Sequence, residues 1–271
     1  MNNVQYKVGI ESGLAMMDGF MKDPVLGSLH PDIYGPTPTL QPESARVAMC
    51  QRIGHYWGEF YHLWVVSGSC VLFDYVIDGQ VVAMALYHLP ADQQIQLSTV
   101  QWLRFCYYNT KFAVKNLFRR SFIGKYISSE ARDRFFREFH GSGKTIIEET
   151  RYRRYLAHQT FAQLRDAEYL YGDSLHLGVL GVRQDYQRSG VGAKLLLESL
   201  TQFDLTPPVF TDGYIKSTGP IKVTLVPAEG KEGFYEKFGF RITSSRKVQV
   251  PGRVQDLDAK HMERMLSYFA T

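Results

Sequence analysis

The sequence predicts an α/β fold with strands of mixed direction, and three observations carry that prediction. Two runs rich in β-branched and aromatic residues, Cys70–Ile77 and 81–88, flank Asp78-Gly79, a strong tight-hairpin signal. The apolar run Leu175–Val182 passes through a turn with two glycines into an amphipathic helix over 191–203. The whole chain orders its elements strand-helix-helix-strand-strand, then a long helical interval, then strand-helix-strand-helix-strand-strand. Such alternation buries a sheet under helices and produces an α/β layer structure.

Taken in order, residues 5–10 are short and apolar enough for a strand. Leu14, Met17 and Met21 then recur at helical spacing, and Asp23-Pro24 ends that helix because proline disfavours helix in the residue before it. Residues 30–42 hold four prolines and predict an extended loop. Residues 44–64 predict a helix, weakened by Gly54 and Gly58. After the hairpin, Val100, Leu103, Tyr107, Val114 and Leu117 show helical spacing, and a similar pattern covers 146–164. Residues 101–170 are more basic than the rest, with 14 Lys and Arg against 7 Asp and Glu. The interval of about 90–173 is therefore expected to be a helical, basic insertion. Residues 206–220 predict a loop, 221–226 a strand, 231–238 a short helix stopped by Gly239, and 240–250 and 261–266 two further strands.

Composition excludes several classes. With 271 residues, 45% hydrophobic and 21% charged, the chain can bury a core without staples, so disorder and a disulfide scaffold are excluded as its main state. We read residues 1–271 as one domain carrying the insertion. Cys50, Cys70 and Cys106 are odd in number and lack a Cys-x-x-Cys pair, so no disulfide framework and no zinc site is expected. A net charge of +4 is too mild to indicate a nucleic-acid partner. No apolar run approaches the ~20 residues of a membrane span. The start lacks the apolar core of a signal peptide, so a reducing, cytoplasmic setting is the default expectation.

The chemistry concentrates in the run from Leu175 to Ala193. A strand ending Leu180-Gly181-Val182 leads to Gln187-x-x-Gly190-x-Gly192 and then a helix. Backbone N–H groups at a helix start, with the helix dipole, favour an anion, and glycine lets a pyrophosphate approach the backbone. The pattern fits neither the dinucleotide-binding nor the Walker fingerprint. It resembles the coenzyme A pyrophosphate motif of the GNAT superfamily, the CoA-dependent N-acetyltransferases. Further on, Gly233-Phe234-Tyr235-Glu236-Lys237-Phe238-Gly239-Phe240 resembles that superfamily's second signature, Phe-Tyr-x-x-x-Gly-Phe. Both lie in the expected order on the expected elements.

The resemblance implies a GNAT-like fold: a mixed, mainly antiparallel sheet flanked by helices, with the helical insertion between the third and fourth strands. It implies acetyl-CoA as co-substrate, no metal, and acetyl transfer to a primary amine of a small molecule by direct attack in a ternary complex. Protein lysine acetylation is an alternative acceptor class. A non-catalytic acyl-CoA sensor or scaffold is the more distant alternative. By position, Gln187, Arg188, Ser189, Gly190, Val191, Gly192 and Ala193 would hold the pyrophosphate. Leu180 and Val182 would pair with the pantetheine arm, and the Leu180 N–H would polarise the thioester carbonyl. Tyr235 matches the tyrosine that protonates the departing thiolate.

His176 stands where related enzymes carry a general base. The arylalkylamine N-acetyltransferases, closest in motif, have His-Leu-His there, whereas this chain has His176-Leu177-Gly178. The family places the acceptor against the early helices and the loop between them. Tyr34, Tyr61, Tyr87 and His88 are the candidate acceptor contacts, beside Tyr56, Trp57 and Trp64. His55 and His62 share a helix face without a third ligand, and the expectation is that they bind no metal. The run Arg151-Tyr152-Arg153-Arg154 reads as a solvated helix face.

Overall fold

A computed structural model describes residues 4–5, 10–20, 43–89, 97–126, 174–205, 222–248 and 256–266. The strands are β1 (Val4–Gln5), β2 (Cys70–Ile77), β3 (Gln80–His88), β4 (Leu175–Val182), β5 (Lys222–Leu225), β6 (Arg241–Val248) and β7 (Leu257–Met265). The helices are α1 (Ile10–Gly19), α2 (Glu43–Val66), α3 (Thr99–Tyr126), α4 (Val191–Leu205) and α5 (Glu232–Glu236). One seven-stranded sheet has the order β1-β2-β3-β4-β5-β7-β6. Every neighbouring pair is antiparallel except β4 with β5. This is the mixed, mainly antiparallel sheet that the sequence predicts.

The β2–β3 hairpin closes through Asp78 and Gly79, with φ of 49° and 79°. Two left-handed residues in succession twist the turn in the sense the strands require, and Asp-Gly supplies them at low cost. β3 lies inside the sheet and is buried from Val81 to Tyr87. On one face α4 lays Leu195, Leu196, Leu200 and Phe203 against Phe73, Tyr87, Leu175 and Leu177. On the other face α1 and α2 bring Met16, Met17 and Tyr61 against Cys70, Leu72, Met84 and Leu86. Each large apolar side chain fully buried this way contributes about 1.5–3 kcal/mol.

Glycines set how closely α1 approaches its neighbours. A Cβ on Gly13 would lie 2.0 Å from the Gly54 carbonyl oxygen and 2.4 Å from the Gly58 nitrogen. A Cβ on Gly181 would lie 2.9 Å from Met16 Cα. Gly54 and Gly58, which weaken α2 as an isolated helix, therefore let α1 and α2 cross in near backbone contact. Below that crossing, Ser12 Oγ sits 2.8 and 2.9 Å from the two carboxylate oxygens of buried Asp74.

Two elements start several residues ahead of the sequence prediction. α1 starts at Ile10, and β7 starts at Leu257, ahead of position 261. In β7 the charges of Asp258 and Lys260 mask the alternation. Leu257, Ala259 and His261 point inward, while Asp258 and Lys260 turn outward to Ser245 and Glu232. The interval between His88 and Leu175 carries α3, which touches α2 where Tyr108 meets His62 edge-on at 4.6 Å. Val100, Trp102, Leu103, Tyr107 and Val114 of α3 are exposed. The predicted loops at 30–42 and 206–220, the helical pattern at 146–164 and the basic run at 151–154 lie outside the described residues. Among those residues no helix is long and apolar enough to cross a membrane.

Candidate active site

β4 and β5 pair over only three positions, Leu175 with Val223, His176 with Thr224 and Leu177 with Leu225. β4 continues along β3 as far as Val182. Beyond Leu177 no strand lies beside its other edge among the described residues. The backbone there is oriented by the β3 ladder. The Arg183 N–H donates to Val82 O at 2.9 Å, so it points at β3. Strand groups alternate in direction, so the N–H groups of Val182 and Leu180 point away from β3, into the opened side. A register shift between Leu86 and Tyr87 leaves Gly178 without an opposite residue, as a bulge at the point where the strands part.

The opened edge runs into a glycine-shaped loop. Gln184–Tyr186 makes one tight turn, Arg188 has φ of 63°, and Gly190 has φ of 88°. A non-glycine residue in the left-handed region costs about 1–2 kcal/mol. Such strain at Arg188 is the kind that collects at ligand sites. The first helical bond of α4 runs from Lys194 N–H to Gly190 O, at 3.0 Å. The N–H groups of Val191, Gly192 and Ala193 therefore have no acceptor within the helix. At Gly192 a Cβ would lie 3.0 Å from Val182 Cγ2, so glycine lets that first turn close on the strand end.

The loop is tied to α1. The Gln187 side chain donates to Gly19 O at 3.0 Å and to Val182 O at 3.1 Å. The Gln184 N–H donates to Asp18 Oδ2 at 2.7 Å, and Ser189 Oγ donates to Tyr186 O. The side chains of Gln187 and Ser189 therefore brace the loop, and Arg188 is exposed.

Tyr235 lies on α5, just past β5. It meets Phe234 edge-on at 5.0 Å and Phe240 at 6.0 Å, and it packs on the same core cluster as Leu180 and Val182. Burial pushes its phenol above the ordinary tyrosine value, so it holds its proton throughout the neutral range.

The opposite face of the sheet carries a polar row in strict register. Cys70 pairs with His88, His88 with His176, His176 with Thr224, and Thr224 with Glu263. Cys70 Sγ lies 3.2 Å from His88 Nδ1, and His176 Nδ1 lies 3.0 Å from Thr224 Oγ1. The two imidazole centres are 6.2 Å apart. His176 is 1% exposed, whereas His88 is half-buried. Trp64 of α2 stands edge-on to His88 at 4.9 Å. A Cβ on Gly178 would fall 2.7 Å from both Cδ2 and Nε2 of His88. The space that glycine leaves at 178 is therefore filled by an imidazole from the neighbouring strand.

No protein-family model and no curated protein matches the chain. Among solved structures, the chain is similar to the PaiA N-acetyltransferase from Thermoplasma acidophilum in complex with coenzyme A, at 9% identity and TM-score 0.40, covering 97% of this chain and 98% of that one. It is similar to an agmatine N-acetyltransferase at 11% identity and TM-score 0.42, covering 91% and 89%. It is also similar to the ribosomal-protein-S18-alanine N-acetyltransferase from Escherichia coli at 12% identity and TM-score 0.35, covering 73% and 70%. Likenesses of this size carry no argument about activity.

The candidate acceptor residues separate once placed. Tyr87 faces α4, fully buried between Phe73 and Phe203, with its hydroxyl 2.7 Å from Ser199 Oγ. Tyr61 is 3% exposed, stacks on Trp57 and has its hydroxyl 2.8 Å from Met16 Sδ. Both are core residues, which corrects the expectation that they present a surface to a small ligand. Tyr34 lies outside the described residues. His88 is half-buried, with its Cδ2–Nε2 edge over Gly178. The sequence reading missed Cys70 and Thr224 as partners of the two histidines. The hairpin register around Asp78-Gly79 alone would set Cys70 opposite Tyr87, and a bulge between Tyr75 and Val76 moves it opposite His88. Among the described residues no group of three metal-ligating side chains occurs, and His62 rests against Tyr108 instead.

Proposed function

We propose that this chain is an acetyl-CoA-dependent N-acetyltransferase whose acceptor is the primary amine of a small molecule. The observation that carries this reading is the opened edge of β4. From Gly178 to Val182 it offers backbone N–H groups aimed away from β3, and it leads directly to the first turn of α4. An extended ligand bearing amides can add to that edge as a strand would. A pyrophosphate at its end would meet the N–H groups of Val191, Gly192 and Ala193, beside the Arg188 guanidinium. The two donor elements are therefore contiguous and correctly ordered for coenzyme A.

Acetyl-CoA supplies the activated acyl group as a thioester. The Leu180 N–H, fixed by the β3 ladder, points to where the thioester oxygen would gain negative charge, which is an oxyanion-stabilising role. Tyr235 retains its proton by burial and packs on the same core cluster as Leu180, which suits it to protonate a leaving thiolate. His176 sits on the same strand, before the bulge, and orients the general base. At 1% exposure it reaches an acceptor proton through an intermediary and not by direct contact.

The test is thiol release from acetyl-CoA over agmatine, 2-phenylethylamine, spermidine and a lysine-containing peptide. The reading expects release that depends on one of the small amines. Release with the peptide alone would move the acceptor class to protein, and no release with any amine would contradict the enzyme.

A further inference from the structure

We propose that His88, on β3, is the group that takes the proton from the acceptor ammonium, through Nε2, with Cys70 as the positioning residue at Nδ1. The inference rests on the acetyltransferase reading above and names the intermediary that reading requires. Three placements carry it. The Cδ2–Nε2 edge of His88 lies over Gly178, the bulge at which β4 leaves β5, so it borders the opened edge. The imidazole is held from both sides, by Cys70 Sγ at Nδ1 and by the edge of Trp64. It is half-buried while its partner in the row, His176, is enclosed.

Among the described residues, the titratable groups around His88 include Cys70 from β2 and His176 from β4, with Tyr61 of α2 beside Cys70. Burial pushes the Cys70 thiol up to about 12, so it stays neutral. That matters, because a thiolate at this distance would hold His88 as an imidazolium unable to accept a proton. The proposal requires the tautomer in which Nδ1–H donates to the neutral Cys70 sulfur, which puts the lone pair on Nε2, the atom over Gly178.

The protons balance as follows. The acceptor R–NH3⁺ gives one proton to His88 Nε2 and becomes R–NH2. Its nitrogen lone pair forms the C–N bond as the carbonyl π pair moves to oxygen. The oxygen pair returns, the C–S bond breaks, and the sulfur leaves with its electron pair. Tyr235 protonates that sulfur and is reprotonated by the second proton of the amide nitrogen. One proton remains on His88 and passes to solvent.

The experiment uses the full chain, acetyl-CoA and the amine of the panel with the highest kcat/KM. His88→Ala should lower kcat by ~10²–10⁴, the usual range for a general base. Added imidazole should restore at least tenfold, because the alanine vacates the space over Gly178. His88→Gln should lose the histidine limb of the pH–rate profile, with acetyl-CoA affinity by calorimetry within about threefold of wild type. In the wild type, the His88 Hε1 signal should move when acetyl-CoA is added. His88→Ala and His88→Gln variants that keep the wild-type rate and profile would overturn the inference, as would a His88 signal that acetyl-CoA leaves unmoved. Those results in an active wild type leave the acetyltransferase reading standing, whereas a wild type inert toward every amine overturns both.

Discussion

The two halves of the site are built from different materials. The proposed donor half, from Gly178 to Ala193, is backbone: a bulge, an opened strand edge, two left-handed residues and a helix start. The proposed acceptor half is side chain: His88, His176 and Cys70, set by strand register, with Trp64 of α2 against them. Backbone sites need glycine at particular places, and glycine is visible in a sequence. Side-chain sites need knowledge of which face each residue takes. The two tyrosines first read as pocket walls illustrate the risk, since Tyr61 and Tyr87 proved to be packed into opposite faces of the sheet.

The largest effect should come where the halves meet. Tyr235→Phe keeps the ring against Phe234 and Phe240 and removes the proton. We expect kcat to fall by ~10²–10⁴ with acetyl-CoA affinity nearly unchanged. Burial raises the phenol above its usual ~10, so it is not deprotonated in a normal assay range, and activity should show no falling alkaline limb below about pH 10. A turnover within a few-fold of wild type would return Tyr235 to packing and make water the acid.

A smaller effect separates scaffold from chemistry. Gly13→Ala pushes a methyl into the Gly54 carbonyl, so α1 must move off α2. Overpacking of this kind costs about 1–3 kcal/mol in thermal or denaturant unfolding. Because α1 also braces the loop through Asp18 and Gly19, acetyl-CoA affinity should weaken with it. Full stability in this variant would mean that the helices part at no cost. The smallest effect is Tyr61→Phe, which removes one buried hydroxyl beside Met16 Sδ. A loss of about 0.5–1.5 kcal/mol is expected, with acceptor KM unchanged. A tenfold rise in KM would place Tyr61 in the acceptor site after all.

Much of the architecture was legible because it follows local rules. The Asp78-Gly79 turn set the hairpin, and Leu175–Val182 followed by Gly190 and Gly192 announced the strand, loop and helix. The insertion showed itself by its basic, helical interval between His88 and Leu175. What stayed hidden was non-local. Gly54 and Gly58 read as helix-weakening because the residue they accommodate, Gly13, lies about forty positions away. β7 was read short because Asp258 and Lys260 pair with side chains on other elements. His176 was legible as a strand histidine, but its burial, and the imidazole over Gly178, depend on how β3 lies beside β4. The bulge that decides this has no local signature except the glycine itself.

The central claim is that the α4 N-terminus and its loop hold the pyrophosphate of coenzyme A. Gly190 tests it most directly, because a Cβ there meets nothing within 4 Å and the only intrinsic penalty is its φ of 88°. Gly190→Ala carries that penalty without charge, about 1–2 kcal/mol of stability. Gly190→Glu carries the same penalty and adds a carboxylate where the pyrophosphate would lie. Calorimetry with acetyl-CoA on the folded variants should show binding retained within about tenfold for Gly190→Ala, or roughly 1.4 kcal/mol, and abolished for Gly190→Glu. Wild-type affinity in a folded Gly190→Glu variant would contradict the account.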